Sequence, residues 1–200
     1  MLLFIDREMQ DFETMLGLEK GAVKLSPHRE EWHELFAAEA QQLTAAAGEH
    51  ALAIEHIGST AICGIAAKPI IDIALAVREI ADVEQIIRPF ENLGYVYRGE
   101  NGIPNRHYFR KGSPRRTHHL HVVQYESDLW RNHLLFRDYL RAHPQIAAQY
   151  ENLKRELAQT HQENREAYTE GKNEFIENVL KAAVKNSEMQ LSKFLNSSFC

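Results

Sequence analysis

Residues Ile70 to Val77 read Ile-Ile-Asp-Ile-Ala-Leu-Ala-Val, a nearly unbroken apolar run that follows Lys68-Pro69 and ends at Arg78. A run this short and this apolar predicts a strand buried on both faces, the pattern of a strand inside a sheet covered by helices. Burial alone would be served by Val or Ile at its third position. Asp72 stands there instead. An ionised carboxylate amid hydrocarbon is costly unless it is paired, metal-bound or open to a cleft. The run therefore sets the centre of the fold and marks a functional residue within it.

Other elements follow outward from it. Ala51 to Ile57 is a second short apolar run closed by Gly58. Tyr95 to Arg98 and His107 to Arg110 flank a Gly/Pro/Asn loop and predict a hairpin, and His118 to Gln124 predicts a further strand after the loop Lys111 to Arg116. Glu79 to Leu93 reads as a helix stopped by Gly94. Ser26-Pro27 with Glu30 and Glu31 has the chemistry of a helix start, and Trp32, Leu35, Phe36, Leu43 and Ala46 recur at helical spacing up to Gly48. Three more helices are expected after Ser127: Leu129 to Leu140, stopping before Pro144, then Ile146 to Leu157 and Phe175 to Val184. The expected architecture is α+β. A mixed sheet with flanking helices occupies 21–126 and a helical part packs on it over 127–185. Residues 1–20 form an extension with a short amphipathic helix, and the polar stretch 186–200 is expected to fray.

Composition excludes other classes. With 44% hydrophobic and 26% charged residues, the 200-residue chain is not a disordered, collagen-like or rod-like sequence. Its net charge of −5 gives it no overall attraction to nucleic acid or to an anionic membrane. Two cysteines, Cys63 and Cys200, suit a reducing compartment. Met1 to Ile5 are followed at once by Asp6, Arg7 and Glu8, unlike a signal peptide, and there is no apolar run of about 18 residues. The expectation is a cytoplasmic protein with neither membrane nor nucleic acid as partner; no feature sets an oligomeric state.

Three features carry candidate chemistry. Gly58-Ser59-Thr60 lies between two predicted strands, where glycine allows close backbone approach and a hydroxyl with free amides at a helix start would hold phosphate oxygens. Asp72, on the next strand, is placed to hold a divalent cation against that phosphate. A tight turn with Asp72 paired to Lys68 or an arginine would produce the same sequence. In His118-His119-Leu120-His121, strand alternation puts His119 and His121 on one face and His118 on the other. The pair could share a metal or contact an anion, or be half-exposed imidazoles in a sheet. Between Arg98 and Arg116, six basic residues stand against the single acid Glu100, a local charge of +5 on a chain whose remainder carries −10. Arg106 and Arg110 in that segment have the fork geometry that suits phosphate. Lys68 is placed to pair with Asp72 or to reach a phosphate, and His56 is adjacent to the Gly58 turn. Cys63 has no neighbouring cysteine for a CxxC zinc pattern, and Walker A, GxGxxG and GxSxG templates are absent.

Glu55-His56-Ile57-Gly58-Ser59-Thr60, then Gly64-Ile65-Ala66-Ala67-Lys68-Pro69-Ile70-Ile71-Asp72-Ile73, resemble the signature of the GrpB-like proteins. Thr117 to Val123 resembles their second block, and Phe136 to Arg141, Tyr150 to Lys154 and Ala167 to Lys172 resemble their helical third. The likeness runs from about residue 21 to 184. It implies a nucleotidyltransferase-like (polymerase-β-like) fold, in some bacteria fused to dephospho-CoA kinase. The three features above together point to a nucleotide or other phosphorylated small molecule as ligand. Gly58, Ser59, Lys68, Arg106 and Arg110 would hold phosphate, with Asp72, His119 and His121 as catalytic and metal-binding residues. The chain departs from that superfold's carboxylate pattern: Ala74 occupies the second acidic position, and His119 and His121 stand where a third acid is expected. A divalent cation, Mg²⁺ or Mn²⁺, is the implied cofactor, and one Asp with two imidazoles suits Mn²⁺ or Zn²⁺ better than Mg²⁺. The missing acids leave a non-catalytic binding module as the alternative. A metal-assisted hydrolase or phosphotransferase built on His119 and His121 is a third reading.

Overall fold

The computed structural model describes residues 16–19 and 21–197, with side chains through Ser187 and at Met189. The predicted amphipathic helix in the first twenty residues lies almost wholly outside the described residues.

The Asp72 run is strand β2 (Ile71–Val77). It pairs antiparallel with β1 (Ala53–Ile57) and parallel with β5 (His118–Gln124). β4 (Arg106–Lys111) and β3 (Tyr95–Tyr97) complete a five-stranded sheet of order β1-β2-β5-β4-β3. The mixed sheet with flanking helices makes the chain α+β, as expected. Helix α1 (Glu31–Ala47) precedes β1, and α2 (Val83–Asn92) links β2 to β3. The last third contains α3 (Asp128–Ala142), α4 (Pro144–Thr160), the short α5 (Arg165–Glu170) and α6 (Asn173–Ser197).

The period-2 alternation of strands divides the chemistry between the two faces. On one face Ile71, Ile73, Leu75 and Val77 join Leu120, Val122 and Phe109 under Trp32 and Leu43 of α1 and Val83, Ile86 and Phe90 of α2. On the other face, small residues admit a bulky cover: Ala74, Ala76 and Val123 lie beneath Trp130 of α3. This cover does not extend over Asp72, whose side chain keeps 30% exposure. A third cluster, including Ile62, Ile65, Leu140, Tyr150 and Val179, packs the helical third against the loop between β1 and β2.

Three expectations change. Helix α1 begins at Glu31 rather than Ser26, because Ser26 exchanges both backbone hydrogen bonds with Ala67 beside the sheet. Helix α5, absent from the reading of the sequence, is capped by the Asn164 side chain accepting from the Ala167 amide. Backbone helix continues through Ser197, so the stretch expected to fray from 186 is helical over its described part.

Arg137 fastens α3 to the sheet. It donates through Nη1 to Glu55 Oε2 at 2.6 Å and to the His56 carbonyl at 3.0 Å, and through Nε to Asp138 Oδ1 at 2.7 Å. Only 8% of Arg137 is exposed. Removing one partner of a buried ion pair leaves the other uncompensated, at a cost of about 3–5 kcal/mol. With Glu55 and Asp138 partly solvated, Arg137→Met is expected to cost about 2–3 kcal/mol. Urea unfolding measures it, and a loss below about 0.5 kcal/mol, the level of an ordinary surface change, would refute this fastening role.

Candidate functional site

The parallel pairing of β2 with β5 sets Asp72 beside His119, and the antiparallel pairing of β5 with β4 sets Arg110 on His119's other side. Asp72, His119 and Arg110 thus form one row on the partly open face. The next row is Ala74, His121 and Tyr108. His119 and His121 share a face and His118 takes the other, where it lies 3.9 Å from Glu39.

His119 Nδ1 lies 2.8 Å from Asp72 Oδ1. A carboxylate only accepts, so Nδ1 carries the hydrogen and Nε2 is the ring's second hydrogen-bonding position. Arg165 Nη2 approaches that Nε2 at 3.4 Å. Burial would raise the Asp72 carboxyl, but the His119 hydrogen bond and the nearby His119, His121 and Lys68 hold it well below the usual carboxylate range. Gly58 is required on two counts. Its φ is 71°, and a Cβ there would stand 2.5 Å from Asp72 Oδ2. The turn that follows is a single 3-10 turn, Ser59–Ala61, not a helix start, so the dipole expected at Ser59 is not supplied.

Cations dominate the surroundings of this carboxylate. Lys68 and Lys172 each place Nζ 4.8 Å from the centroid of the Tyr168 ring. Burial, then the charges of Lys172 and Arg165, lower the Lys68 ammonium to about 7. Burial also lowers Lys172, and it lowers Lys154 to about 7. Lys154, almost fully buried, donates to the Ala66 carbonyl and lies 4.8 Å from the Tyr150 ring centroid. Tyr150 neighbours Ser59 and is pushed up to about 12 by burial. Tyr108 is pushed up to about 12 by burial and the Asp72 charge. Both phenols are protonated donors at neutral pH.

The structure gathers Gly58, Ser59, Lys68, Asp72, Arg110 and His119, and separates the others. His121 packs against Tyr108 and His133 at 5.3 Å between ring centroids, its Nδ1 buried without a hydrogen-bond partner. The ligand atoms of Asp72, His119 and His121 do not converge: among the described residues, the one trio of His, Cys, Asp or Glu brought together within 4.8 Å is elsewhere. Arg106 lies in the row of Val123, and its Nη2 donates to the Glu100 and Asn101 carbonyls at 3.0 and 2.9 Å. Most of the basic segment is likewise structural. Lys111 pairs with Glu39, Arg115 donates to the Gly17 carbonyl and Arg116 to that of Glu19.

Arg165, Lys172, Tyr168, Tyr150 and Lys154 were not singled out as site residues by the reading of the sequence. One signal was available: the spacing Tyr-x-x-x-Lys occurs at 150–154 and again at 168–172. In both, the ammonium lies over the ring four residues before it.

A family model described as GrpB protein matches residues 22–182, a span that includes every residue of this cleft. The chain belongs to the GrpB family. It is 45% identical to the UPF0157 protein YqkA of Bacillus subtilis over 157 residues, 78% of this chain but 46% of that protein, so it spans under half the relative's length. It is 40% identical to the glutamate-rich protein GrpB of Alkalihalophilus pseudofirmus, covering 83% of this chain and 98% of that one. The crystal structure of GrpB from Enterococcus faecalis superposes with a TM-score of 0.77 at 42% identity, over 82% of this chain and 99% of that chain. More distantly, a dephospho-CoA kinase of Mycolicibacterium paratuberculosis is 26% identical over 192 residues, with 46% of that protein covered. As for the membrane, no helix among the described residues is long and apolar enough to cross one.

Proposed function

We propose that this GrpB-family cleft binds the phosphate groups of a small molecule, a nucleotide foremost, and that the Asp72–His119 pair carries out acid–base chemistry on it. The observation that supports the reading is the ring of Lys68, Arg110, Arg165 and Lys172 about one carboxylate–imidazole pair. Burial first, and the neighbouring cations after it, lower Lys68 and Lys172, and a bound anion would return their full charge. Arg110 and Arg165 supply forked donors and the lysines point charges. Ser59 and the Tyr150 hydroxyl supply neutral donors on the same side.

In this reading His119 Nε2 takes a proton from an acceptor hydroxyl, while Asp72 orients the ring and steadies the imidazolium that forms. The cations offset charge developing on the phosphoryl oxygens. Transfer of a nucleotidyl or phosphoryl group, the activity class of the nucleotidyltransferase-like fold, fits that division of labour. The divalent cation implied by that fold fits less well. Asp72 Oδ1 already receives the His119 N–H, the charges of Lys68 and Lys172 act on the carboxylate, and Arg165 approaches its His119 partner. A two-metal carboxylate clamp has no second acid to work with.

The alternative, a binding module without turnover, draws support from Ala74. It is fully buried in the cluster beneath Trp130. A carboxylate there would be interred rather than presented to the cleft.

Two probes test the proposal, pyrophosphate and ATP, each with and without Mg²⁺. At a hundredfold excess over Kd a genuine ligand adds about 2.7 kcal/mol of stability. We expect a rise in Tm with either probe, and at least tenfold weaker binding in Lys172→Met and Arg165→Met. Unchanged affinity in both variants would overturn the assignment of the cleft. Release of pyrophosphate or phosphate distinguishes the enzyme from the module.

A further inference from the structure

Three side chains that take no part in the Asp72–His119 cleft meet beside the connection from β1 to β2. His28 precedes α1, His33 lies in its first turn, and Cys63 follows the 3-10 turn Ser59–Ala61. Each presents one ligand atom, and the three atoms lie within 4.8 Å of one another. No other trio of His, Cys, Asp or Glu does so among the described residues. His33 Nε2 stands 3.6 Å from Cys63 Sγ. A tetrahedral zinc centre, with Zn–S of about 2.3 Å and Zn–N of about 2.0–2.1 Å, has an S···N edge of about 3.6 Å. That edge is already in place.

His28 supplies an independent sign of a missing partner. Both of its ring nitrogens are buried and neither has a hydrogen bond. The nearest acid, the exposed Glu30, is 3.5 Å from Nε2, beyond a good hydrogen bond. A buried nitrogen without a partner is costly, and coordination would satisfy it. Cys63 is exposed, which leaves a route for the ion and a place for water.

We propose that His28, His33 and Cys63 hold one borderline-soft divalent metal ion, Zn²⁺ or an ion of like preference, with water in the fourth position. One thiolate and two imidazoles favour such an ion over Mg²⁺ or Ca²⁺. Binding removes the Cys63 thiol proton, which passes to solvent. The ion ties the Ile62–Ile65 loop to the start of α1 and so braces the turn that presents Gly58 and Ser59. It stands apart from the phosphate reading: the site survives if that reading fails, and the reverse.

Co²⁺ added to the metal-free full-length chain is the test, because a thiolate bound to Co²⁺ gives a ligand-to-metal charge-transfer band and four-coordination gives intense d–d bands. We expect one equivalent bound, displacement by Zn²⁺, and a Zn²⁺-dependent rise in Tm. Cys63→Ser, an exposed and conservative change, should abolish the charge-transfer band with the far-ultraviolet circular dichroism unchanged, and Cys200→Ser should keep it. His33→Gln should weaken binding by more than the roughly 10–100-fold typical of losing an outer partner of a metal ligand. Asp72→Asn should leave the spectrum intact. No band in the parent, a band that persists in Cys63→Ser, or one lost only in Cys200→Ser would each overturn the proposal.

Discussion

Lowering the pH from 6.5 to 4 is expected to remove most of the protein's stability. His56 is lowered to about 3, His118 to about 4 and His133 to about 4, in each case chiefly by burial, and burial lowers His121 well below the ordinary histidine range. In the unfolded chain each titrates near its ordinary value of about 6.5. Within the window between those values the unfolded state binds protons that the native state does not. Stability from these groups is therefore whole above about pH 6.5 and is lost as the pH falls toward the folded values. Each group contributes up to about 1.4 kcal/mol per pH unit, so together they approach the about 5–15 kcal/mol that holds a typical domain. Asp72, held low in the folded state, adds loss in the same direction below its ordinary range. Urea midpoints from pH 8 to 4 measure the effect. We expect a plateau above pH 6.5 and a steep fall below it, shallower in His133→Gln. A flat profile down to pH 5 would mean that these rings are not buried as neutral groups.

The second large effect is expected from Gly58→Ala. A left-handed backbone and a Cβ 2.5 Å from Asp72 Oδ2 act together. The strained conformation costs about 1–3 kcal/mol, and the methyl group must also displace the carboxylate that orients His119. Gly64→Ala is the matched control. Its φ of 80° is likewise positive, yet nothing lies within 4 Å of its added carbon. We expect Gly64→Ala to lose only stability, about 1 kcal/mol, and to bind pyrophosphate as the parent does. Gly58→Ala should lose about 2–3 kcal/mol and bind at least tenfold more weakly. Equal behaviour of the two variants in both measurements would show that Gly58 is needed for its backbone alone.

Much of this architecture is legible in single residues. Asp72 stands out because an ionised group in an apolar run is costly unless it is paired, metal-bound or solvated, and strand alternation alone puts His119 and His121 on one face. Other features depend on partners that no local pattern announces. Ser26-Pro27 has the chemistry of a helix start, but its backbone hydrogen bonds go to Ala67, far along the chain. Arg106 and Arg116 look like anion ligands because a sequence does not show that loop carbonyls already occupy their guanidinium groups. Lys68 is legible as a cation near Asp72. Lys172 and Arg165 are not, since in the chain they lie beyond α3 and α4, far from Asp72. Leu191, Phe194 and Leu195 continue the helical spacing of Val184 within a stretch whose polar composition obscures it.

Because strand alternation assigns odd and even positions to opposite sides, the packing beneath α1 and α2 is separate from the row that holds Asp72 and His119. Ile71, Ile73 and Leu75 answer to the hydrocarbon beneath α1 and α2, whereas Asp72 answers to Gly58 and His119. Substitutions in the exposed row can therefore leave the packing beneath α1 and α2 untouched. Retained thermal resistance in such a variant is no guide to what its open face still does.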